Sequence, residues 1–426
     1  MLDIKFIREN PEGVKENIRK KFQNDKLKLV DELLNADKRN RDLMQESQAL
    51  RARRNKVSEE INAAKKAGKP AEKLLKEAKE IPEKIKALED EQKKLQETIQ
   101  RCLFAIPNMI HESVPIGKDA KDNVERAKYG TPKKFSFPVK NHAELAEELS
   151  IADFDASAET SGKGFYFLKG KLALLNMALI NYARDYMIKQ GYAYIEPPWM
   201  IREHILTGVY SAAEINAMAY KIEGEDLYLI ATSEHPLIGM FIGKTLEKKQ
   251  LPLKITGFSP CFRKEVGSHG LDEKGLFRTH QFNKQEMVVI CEPEESYALY
   301  NEMLQHTVNV FKGLELPIRV LECCSGDLGD LKAKSCDVEA WSPRKQEYFE
   351  VGSLTNMEAA QARRLNIRIT DGKTKYFAHT LNNTVLATSR AMVAILENYQ
   401  NKDGSVTVPK ALVPYMNGVT TITKEK

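Results

Sequence analysis

Apolar positions follow two different rhythms along the chain. Over residues 27–103 they recur at helical spacing: Ala36, Leu43, Leu50, Val57 and Ala64 lie seven apart. A second stripe, Leu74, Ala78, Ile81, Ile85, Leu88, Gln92, Leu95, Ile99 and Cys102, steps alternately by four and three. That alternation is the a/d seam of a coiled coil. Gly68-Lys69-Pro70 separates the stripes, so the pattern predicts two helices of similar length folded back as an antiparallel hairpin. Helices of about 35 residues at 1.5 Å rise make an arm about 50 Å long. Pro82 falls inside the second stripe, where an interior proline is expected to kink or interrupt the helix. Residues 1–25 read as a short helical lead-in, with Pro11 placed at a helix start.

Beyond the arm the rhythm changes. Residues 104–135 carry Pro107, Pro115 and Pro132 and read as a linker and domain boundary. From about Phe135 strands and helices alternate without a regular βαβ period. Residues 172–190 form an amphipathic helix ended by Gly191, followed by a strand from Tyr192 that Pro197-Pro198 stops. Further strands are predicted at 227–231, 254–263, 281–291, 317–324, 336–342, 346–353 and 376–381. Antiparallel connections such as the 254–291 hairpin imply a mixed, mainly antiparallel sheet with flanking helices, an α+β class.

Composition narrows the partners only slightly. The 426 residues are 42% hydrophobic and 8% aromatic, enough for two or three ordinary globular domains. A net charge of +5 is small for this length and does not by itself imply nucleic acid. Its distribution says more. Residues 64–79 hold six lysines against two glutamates, and Arg51, Arg53 and Arg54 add to one side of the arm. Such a run is either a solvated coiled-coil surface or a phosphate-tracking face whose binding weakens with salt. The six cysteines show no C-x-x-C pair and no zinc-finger spacing. The N-terminus is charged from its third residue, and no apolar run approaches the roughly 20 residues that span a bilayer. These features imply a reduced, soluble, cytoplasmic protein without a membrane partner.

The chemistry concentrates in residues 258–286. Two dense clusters, Cys261-Phe262-Arg263-Lys264-Glu265 and Arg278-Thr279-His280-Gln281-Phe282, flank a loop containing Gly267, Gly270 and Gly275. Charges inside a sheet are costly unless paired or bound, so the hairpin is expected to hold an anion. Arg263 and Glu265 alternate along the predicted strand and would share a face. They suit either phosphate or carboxylate contacts or a structural ion pair. Phe282 could stack on a base or fill the core. Glu350 and Ser353 form a hard-oxygen set suited to Mg²⁺. Thr232-Ser233-Glu234 either holds a small ligand with an amine or caps a helix. Arg390, near a helix start, either adds to an anion site or lies on the surface. No P-loop, dinucleotide fingerprint or H-E-x-x-H is present.

Taken in order, the Gly191-Tyr192 to Pro197-Pro198 stretch, the Phe262-Arg263-x-Glu265 to Arg278-x-His280-Gln281-Phe282 hairpin and the closing Arg390 helix resemble motifs 1, 2 and 3 of class II aminoacyl-tRNA synthetases. Thr232-Ser233-Glu234, the run from His280 to Glu286, Phe349-Glu350-Val351-Gly352-Ser353 and Ala394 to Gln400, behind an N-terminal coiled coil, narrow the resemblance to seryl-tRNA synthetases. It implies an N-terminal tRNA-binding domain over 1–108, with a coiled coil at about 27–103, and a class II catalytic domain over 109–426.

The resemblance also implies roles. Arg263 clamps the ATP α-phosphate and the amino-acid carboxylate. Arg390 holds the γ-phosphate and flanks adenine, with Phe282 on its other face. Lys264, Glu265, Thr279, Val351 and Gly352 complete the ATP site, and Glu350 and Ser353 ligate Mg²⁺. Thr232, Ser233, Glu234, Glu286, Asn382 and Thr384 line an L-serine pocket in which Glu286 accepts the substrate hydroxyl. Arg51, Arg53, Arg54, Lys65, Lys66, Lys69 and Lys73 face serine tRNA (and selenocysteine tRNA where present), and the glycine loop meets its acceptor end. A homodimer using the 172–200 helix and strand is implied, and no zinc. Gly352 and Thr384 stand where relatives often carry serine, which puts one hydroxyl contact at 352 in doubt.

Overall fold

In the computed structural model, which describes residues 1–265 and 275–424, the two apolar stripes form helices α1 (Leu27–Lys66) and α2 (Glu72–Ala105). Their ion pairs run in opposite directions, Glu32 with Arg101, Arg39 with Glu91 and Arg53 with Glu77, so the helices are antiparallel. Val57, Ile61, Ile81 and Ile85 bury the seam between them. Exposed ion pairs add at most about 1 kcal/mol each, so the seam rather than the charges holds the register. Gly68 makes the turn at φ 63, a left-handed conformation that a side chain disfavours. The expected break at Pro82 is absent: α2 continues through it. Pro82 faces solvent while its neighbours Ile81 and Ile85 stay buried, so seam packing outweighs the one lost hydrogen bond. Met1–Pro107, containing this hairpin, is one compact unit and Asn108–Lys426 is another.

The second unit is organised by an eight-stranded sheet. In chain order its strands are β1 (Val124–Tyr129), β2 (Ala193–Tyr194), β3 (Leu253–Phe262), β4 (Gln281–Cys291), β5 (Ile318–Glu322), β6 (Lys334–Ser342), β7 (Glu347–Glu358) and β8 (His379–Ala387). Their spatial order is β1-β5-β6-β7-β8-β4-β3-β2, antiparallel except for β2 beside β3. β1 lies where a linker was expected. Its sequence, Val-Glu-Arg-Ala-Lys-Tyr, has no apolar alternation, and it is mostly exposed; backbone pairing to β5 at the sheet edge recruits it. The segment expected at 376–381 divides. Lys375–Phe377 joins a small sheet with Arg368–Thr370 and Thr245–Glu247, while β8 becomes a central strand.

Helices α3 (Gly170–Lys189), α4 (Glu234–Gly239), α5 (Ser296–Gly313), α6 (Ala360–Leu365) and α7 (Thr388–Asn398) cover the sheet. The main core joins Leu172, Leu175 and Leu179 of α3, Met303 and Val310 of α5 and Ile395 of α7 to Met287 and Val289 of β4. A smaller core on the opposite face of β4 joins Val288 and Ile290 to Leu237 and Ile238 of α4 and Leu365 of α6. Strand alternation thus sends odd residues of β4 into one core and even residues toward the other. All six cysteines are buried and free. Among the described residues no helix is long and apolar enough to cross a membrane.

Candidate active site

Toward the start of β4 the even positions change from apolar to functional. Phe282, Lys284 and Glu286 precede Val288 and Ile290 on the same strand face, and all three line a cleft of about 290 Å³. β8 supplies Asn382 and Thr384 from the neighbouring strand, opposite Val288 and Glu286. β7 supplies Glu350 and Ser353. Three residues apart, these two would face opposite ways on a regular strand. A bulge corrects this: Glu339 pairs with Glu350 and Val338 with Gly352, leaving Val351 extra, so Glu350 and Ser353 come to one side. Thr232, Glu234, Arg263, Glu265, Thr279, Val351, Gly352 and Arg390 complete the expected set within the cleft lining.

Two expected residues are not part of that lining. Ser233 is fully buried and donates its hydroxyl to the Gly257 carbonyl at 2.9 Å, tying α4 to β3. Lys264 is half-buried with its backbone N–H bonded to the Met218 carbonyl. The expected shared strand face of Arg263 and Glu265 also changes. β3 ends at Phe262, and Glu265 turns at φ 47, so chain reversal and not alternation brings both to the cleft. Glu265 pairs with Arg278 at 3.2 Å. Gly267 and Gly270 lie outside the described residues. On the returning side, Leu276 donates its backbone N–H to His142 Nε2 at 3.0 Å, anchoring the strand entry to the helix His142–Glu148.

Arg263 is the most exceptional charge in the cleft. Among the described residues its buried Nε has no hydrogen-bond partner, its Nη2 reaches the Ala231 carbonyl only at 3.5 Å, and no carboxylate pairs with it. Its guanidinium lies 5.1 Å from the centroid of Phe282. Arg390 instead pairs with Glu350 at 3.1 Å, also donates to the Glu350 carbonyl at 2.8 Å, and lies 5.5 Å from the Phe277 centroid. Protein surrounds the Glu350 carboxylate, yet its side chain is 46% exposed to the space inside the cleft. Burial pushes its pKa upward, but Arg390 outweighs that and holds it below the ordinary range. Asp337, opposite Ser353 and bonded to it, is pushed up to about 6 by burial and then by Glu350. Cys323, Asp327 and Asp337 bring donor atoms within 4.8 Å of one another beside this pair.

The other end of the cleft is built around two carboxylates. Glu234 Oε1 accepts from Gln361 Nε2 at 2.8 Å and Asn382 Nδ2 at 3.0 Å, and Gln361 in turn accepts from Thr380 at 2.7 Å. Burial first, and then Glu286, push the Glu234 pKa up to about 7. Thr232 accepts from the Glu234 backbone N–H at 3.2 Å, so it serves the start of α4 while lining the cleft. Gly352 has a steric reason: a Cβ there would sit 3.3 Å from both Thr307 Cγ2 and the Thr384 carbonyl.

Glu234 has a consequence for stability. Its folded pKa, about 7, lies above its ordinary value of 4.5, so the folded state keeps a proton that the unfolded chain releases. That stabilisation is complete below about pH 4.5 and is lost as pH rises through 7. Glu234→Gln cannot ionise. The variant is expected to be more stable than the parent at pH 8 by on the order of 2 kcal/mol, with the gap closing toward pH 5. Thermal unfolding at both pH values checks this; an equal difference at both would contradict it.

Lys284, Gln361, His235 and Phe277 belong to or support the cleft without having been singled out. Lys284 lies between Phe282 and Glu286 at period-two spacing, a signal that was available. Gln361 sits on a short helix with no local signature. On the arm, Arg54, Lys65, Lys66, Lys69 and Lys73 are exposed and make no ion pair among the described residues. Arg51 and Arg53 are instead engaged with Glu89 and Glu77, each at 2.7 Å.

This geometry can be set beside known proteins. Residues 1–110 match the seryl-tRNA synthetase N-terminal domain, and residues 219–399 match the class II tRNA synthetase core domain of the G, H, P, S and T group. The chain is 49% identical to the serine–tRNA ligase of Methanospirillum hungatei JF-1, covering 98% of this chain and 99% of that protein. The seryl-tRNA synthetase of Pyrococcus horikoshii complexed with ATP superposes with a TM-score of 0.96 at 42% identity, over 100% of both chains. The cytoplasmic serine–tRNA ligase of Naegleria fowleri in complex with AMP gives 0.89 at 34% identity, over 100% of this chain and 99% of that one. A cleft that joins a buried arginine to two buried carboxylates, a coiled-coil hairpin before it and likeness along the whole length lead to one assignment: the chain belongs to the seryl-tRNA synthetase family of class II aminoacyl-tRNA synthetases.

Proposed function

We propose that this chain activates L-serine with ATP, giving seryl-adenylate and pyrophosphate, and then transfers the seryl group to the 3′-terminal ribose of serine tRNA. The observation that carries the reading is Arg263: a cation in the cleft wall with, among the described residues, no carboxylate partner and a buried, unsatisfied Nε. It would hold the α-phosphate and the serine carboxylate together. The ionised carboxylate oxygen attacks the α-phosphorus and the bond to pyrophosphate breaks, so no general base is needed in this step. Charge builds on the phosphoryl oxygens, where a fixed guanidinium stabilises it without reorganisation. Phe282 and Arg390 would flank adenine, and Arg390 would hold the γ-phosphate.

Glu350 and Ser353 offer carboxylate and hydroxyl oxygens on one cleft-facing side, a donor set that fits Mg²⁺. The ion would neutralise the phosphate charge. Thr232, Glu234, Glu286, Asn382 and Thr384 would line the serine pocket. A pocket that hydrogen-bonds a hydroxyl rejects the analogue lacking it by roughly 10⁴-fold, whereas threonine must be excluded by volume.

In this reading residues 1–108 are the tRNA-binding domain and 109–426 the catalytic domain. The exposed cations of the arm would track the tRNA backbone. A cytoplasmic homodimer fits the exposed Leu174, Met177 and Ile188 of α3 together with Trp199 and Met200, an apolar set that a second copy would cover.

ATP–pyrophosphate exchange tests the reading directly. Serine alone is expected to support exchange, with alanine and threonine at background. Exchange with threonine but not serine, or with none of the three, would overturn it.

A further inference from the structure

Lys284 has no role in the reaction as described, yet it occupies the centre of the amino-acid end of the cleft. Both it and Glu286 are buried, with side chains 8% and 2% exposed, and Lys284 Nζ lies 2.5 Å from Glu286 Oε2. The contact brings the charges together, and among the described residues Glu286 Oε2 makes no hydrogen bond, so it retains accepting capacity. Both residues sit on β4, held between β3 (opposite Ser259 and Gly257) and β8 (opposite Ala387 and Thr384). Two paired neighbours and a position inside the sheet leave the pair little freedom to separate.

We infer that Lys284 is a positioning residue for serine recognition: its ammonium holds the buried Glu286 carboxylate in place and aimed, so that Glu286 accepts the substrate hydroxyl. This deepens the proposed function and rests on its assignment of Glu286 to the serine hydroxyl. A buried carboxylate is costly without a paired cation, and removing one partner of such a pair leaves the other without the contact that fixes its direction.

The other groups around Glu286 do not replace Lys284. Glu234 on α4 is a second carboxylate, whose own pKa Glu286 helps to push up, and it cannot serve as the cation. His235, also on α4, is fully buried and pushed down to about 3 by burial, Lys284 and Arg263, and is therefore neutral. Cys261 on β3 is buried with its thiol pushed up, and is neutral as well. Arg263, just past β3, is committed to substrate anions in the proposed reaction. Among the described residues the one ion pair of Glu286 is to Lys284.

The test is the serine KM in ATP–pyrophosphate exchange, measured for the full-length chain and four variants. Lys284→Met is expected to raise the serine KM about 100-fold at pH 7. The ATP KM should stay within about 3-fold, and Lys284→Arg should restore most of the serine affinity. Lys284→Met paired with Glu286→Gln replaces the ion pair by a neutral one and guards against failure of the single variant to fold. If Lys284 acts through Glu286, the double variant binds serine no worse than Glu286→Gln alone. A Lys284→Met variant with unchanged serine KM, a Lys284→Arg variant that restores none of the loss, or a double variant much worse than Glu286→Gln overturns the inference. Glu286→Gln alone with a normal serine KM would instead show that the pocket assignment is wrong, whatever Lys284 does.

Discussion

Replacing Arg263 with alanine is expected to cut kcat/KM for ATP–pyrophosphate exchange by on the order of 10³-fold while leaving the thermal midpoint nearly unchanged. The separation of the two effects follows from the geometry. Among the described residues the Arg263 side chain has no carboxylate partner and one marginal hydrogen bond, so its removal orphans no buried charge there and even deletes an unsatisfied Nε. A structural arginine behaves otherwise: removing one partner of a buried ion pair costs about 3–5 kcal/mol. Arg263→Lys should recover only part of the activity, since a point charge cannot bridge phosphate and carboxylate as a planar fork does. A loss below about 10-fold, or a fall in stability matching the fall in activity, would show that Arg263 is a scaffold residue.

Deleting residues 36–100 and joining the stumps is expected to leave serine-dependent exchange within about 3-fold of the parent and to abolish tRNA charging. The stumps lie close, because Glu32 and Arg101 pair across the base of the hairpin. The arm has its own apolar seam, and the Met1–Pro107 unit is compact in itself, so its loss should not unravel the cleft. A finer variant neutralises Arg54, Lys65, Lys66, Lys69 and Lys73, exposed cations that no acid holds among the described residues. If all five touch phosphates, the slope of log tRNA affinity against log salt should flatten by about 3–4. Arg51 and Arg53, already engaged with Glu89 and Glu77, should contribute less. Equal loss of exchange and charging on deletion would show that the arm supports the catalytic domain mechanically.

Much of this was legible because it is periodic. The a/d stripes located both arm helices, and the 254–263 and 281–291 strands differ from β3 and β4 by no more than a residue at either end. β1 escaped notice because an edge strand that buries no face leaves no alternation to read. Pro82 misled in the opposite direction, since local propensity counts one lost hydrogen bond but not the seam packed around it. Ser233 shows the same limit at the site. Its place between Thr232 and Glu234 suggests a ligand, but the turn into α4 aims its hydroxyl at the Gly257 carbonyl.

By itself the sequence determined the coiled-coil hairpin, the antiparallel β3–β4 pair and the residue types that could handle phosphate, carboxylate and a hydroxyl. These are properties of period and side-chain chemistry, which a local stretch already contains. The tertiary structure alone decided which of those groups meet. The extra residue at Val351 turns Glu350 and Ser353 to one side, and chain reversal at Glu265, not strand alternation, brings it into the cleft with Arg263. Gln361, 127 residues from Glu234, reaches its carboxylate only because α6 packs beside α4 and β8. Bulges, chain reversals and contacts between distant segments depend on how the whole sheet closes, and no local spacing encodes them.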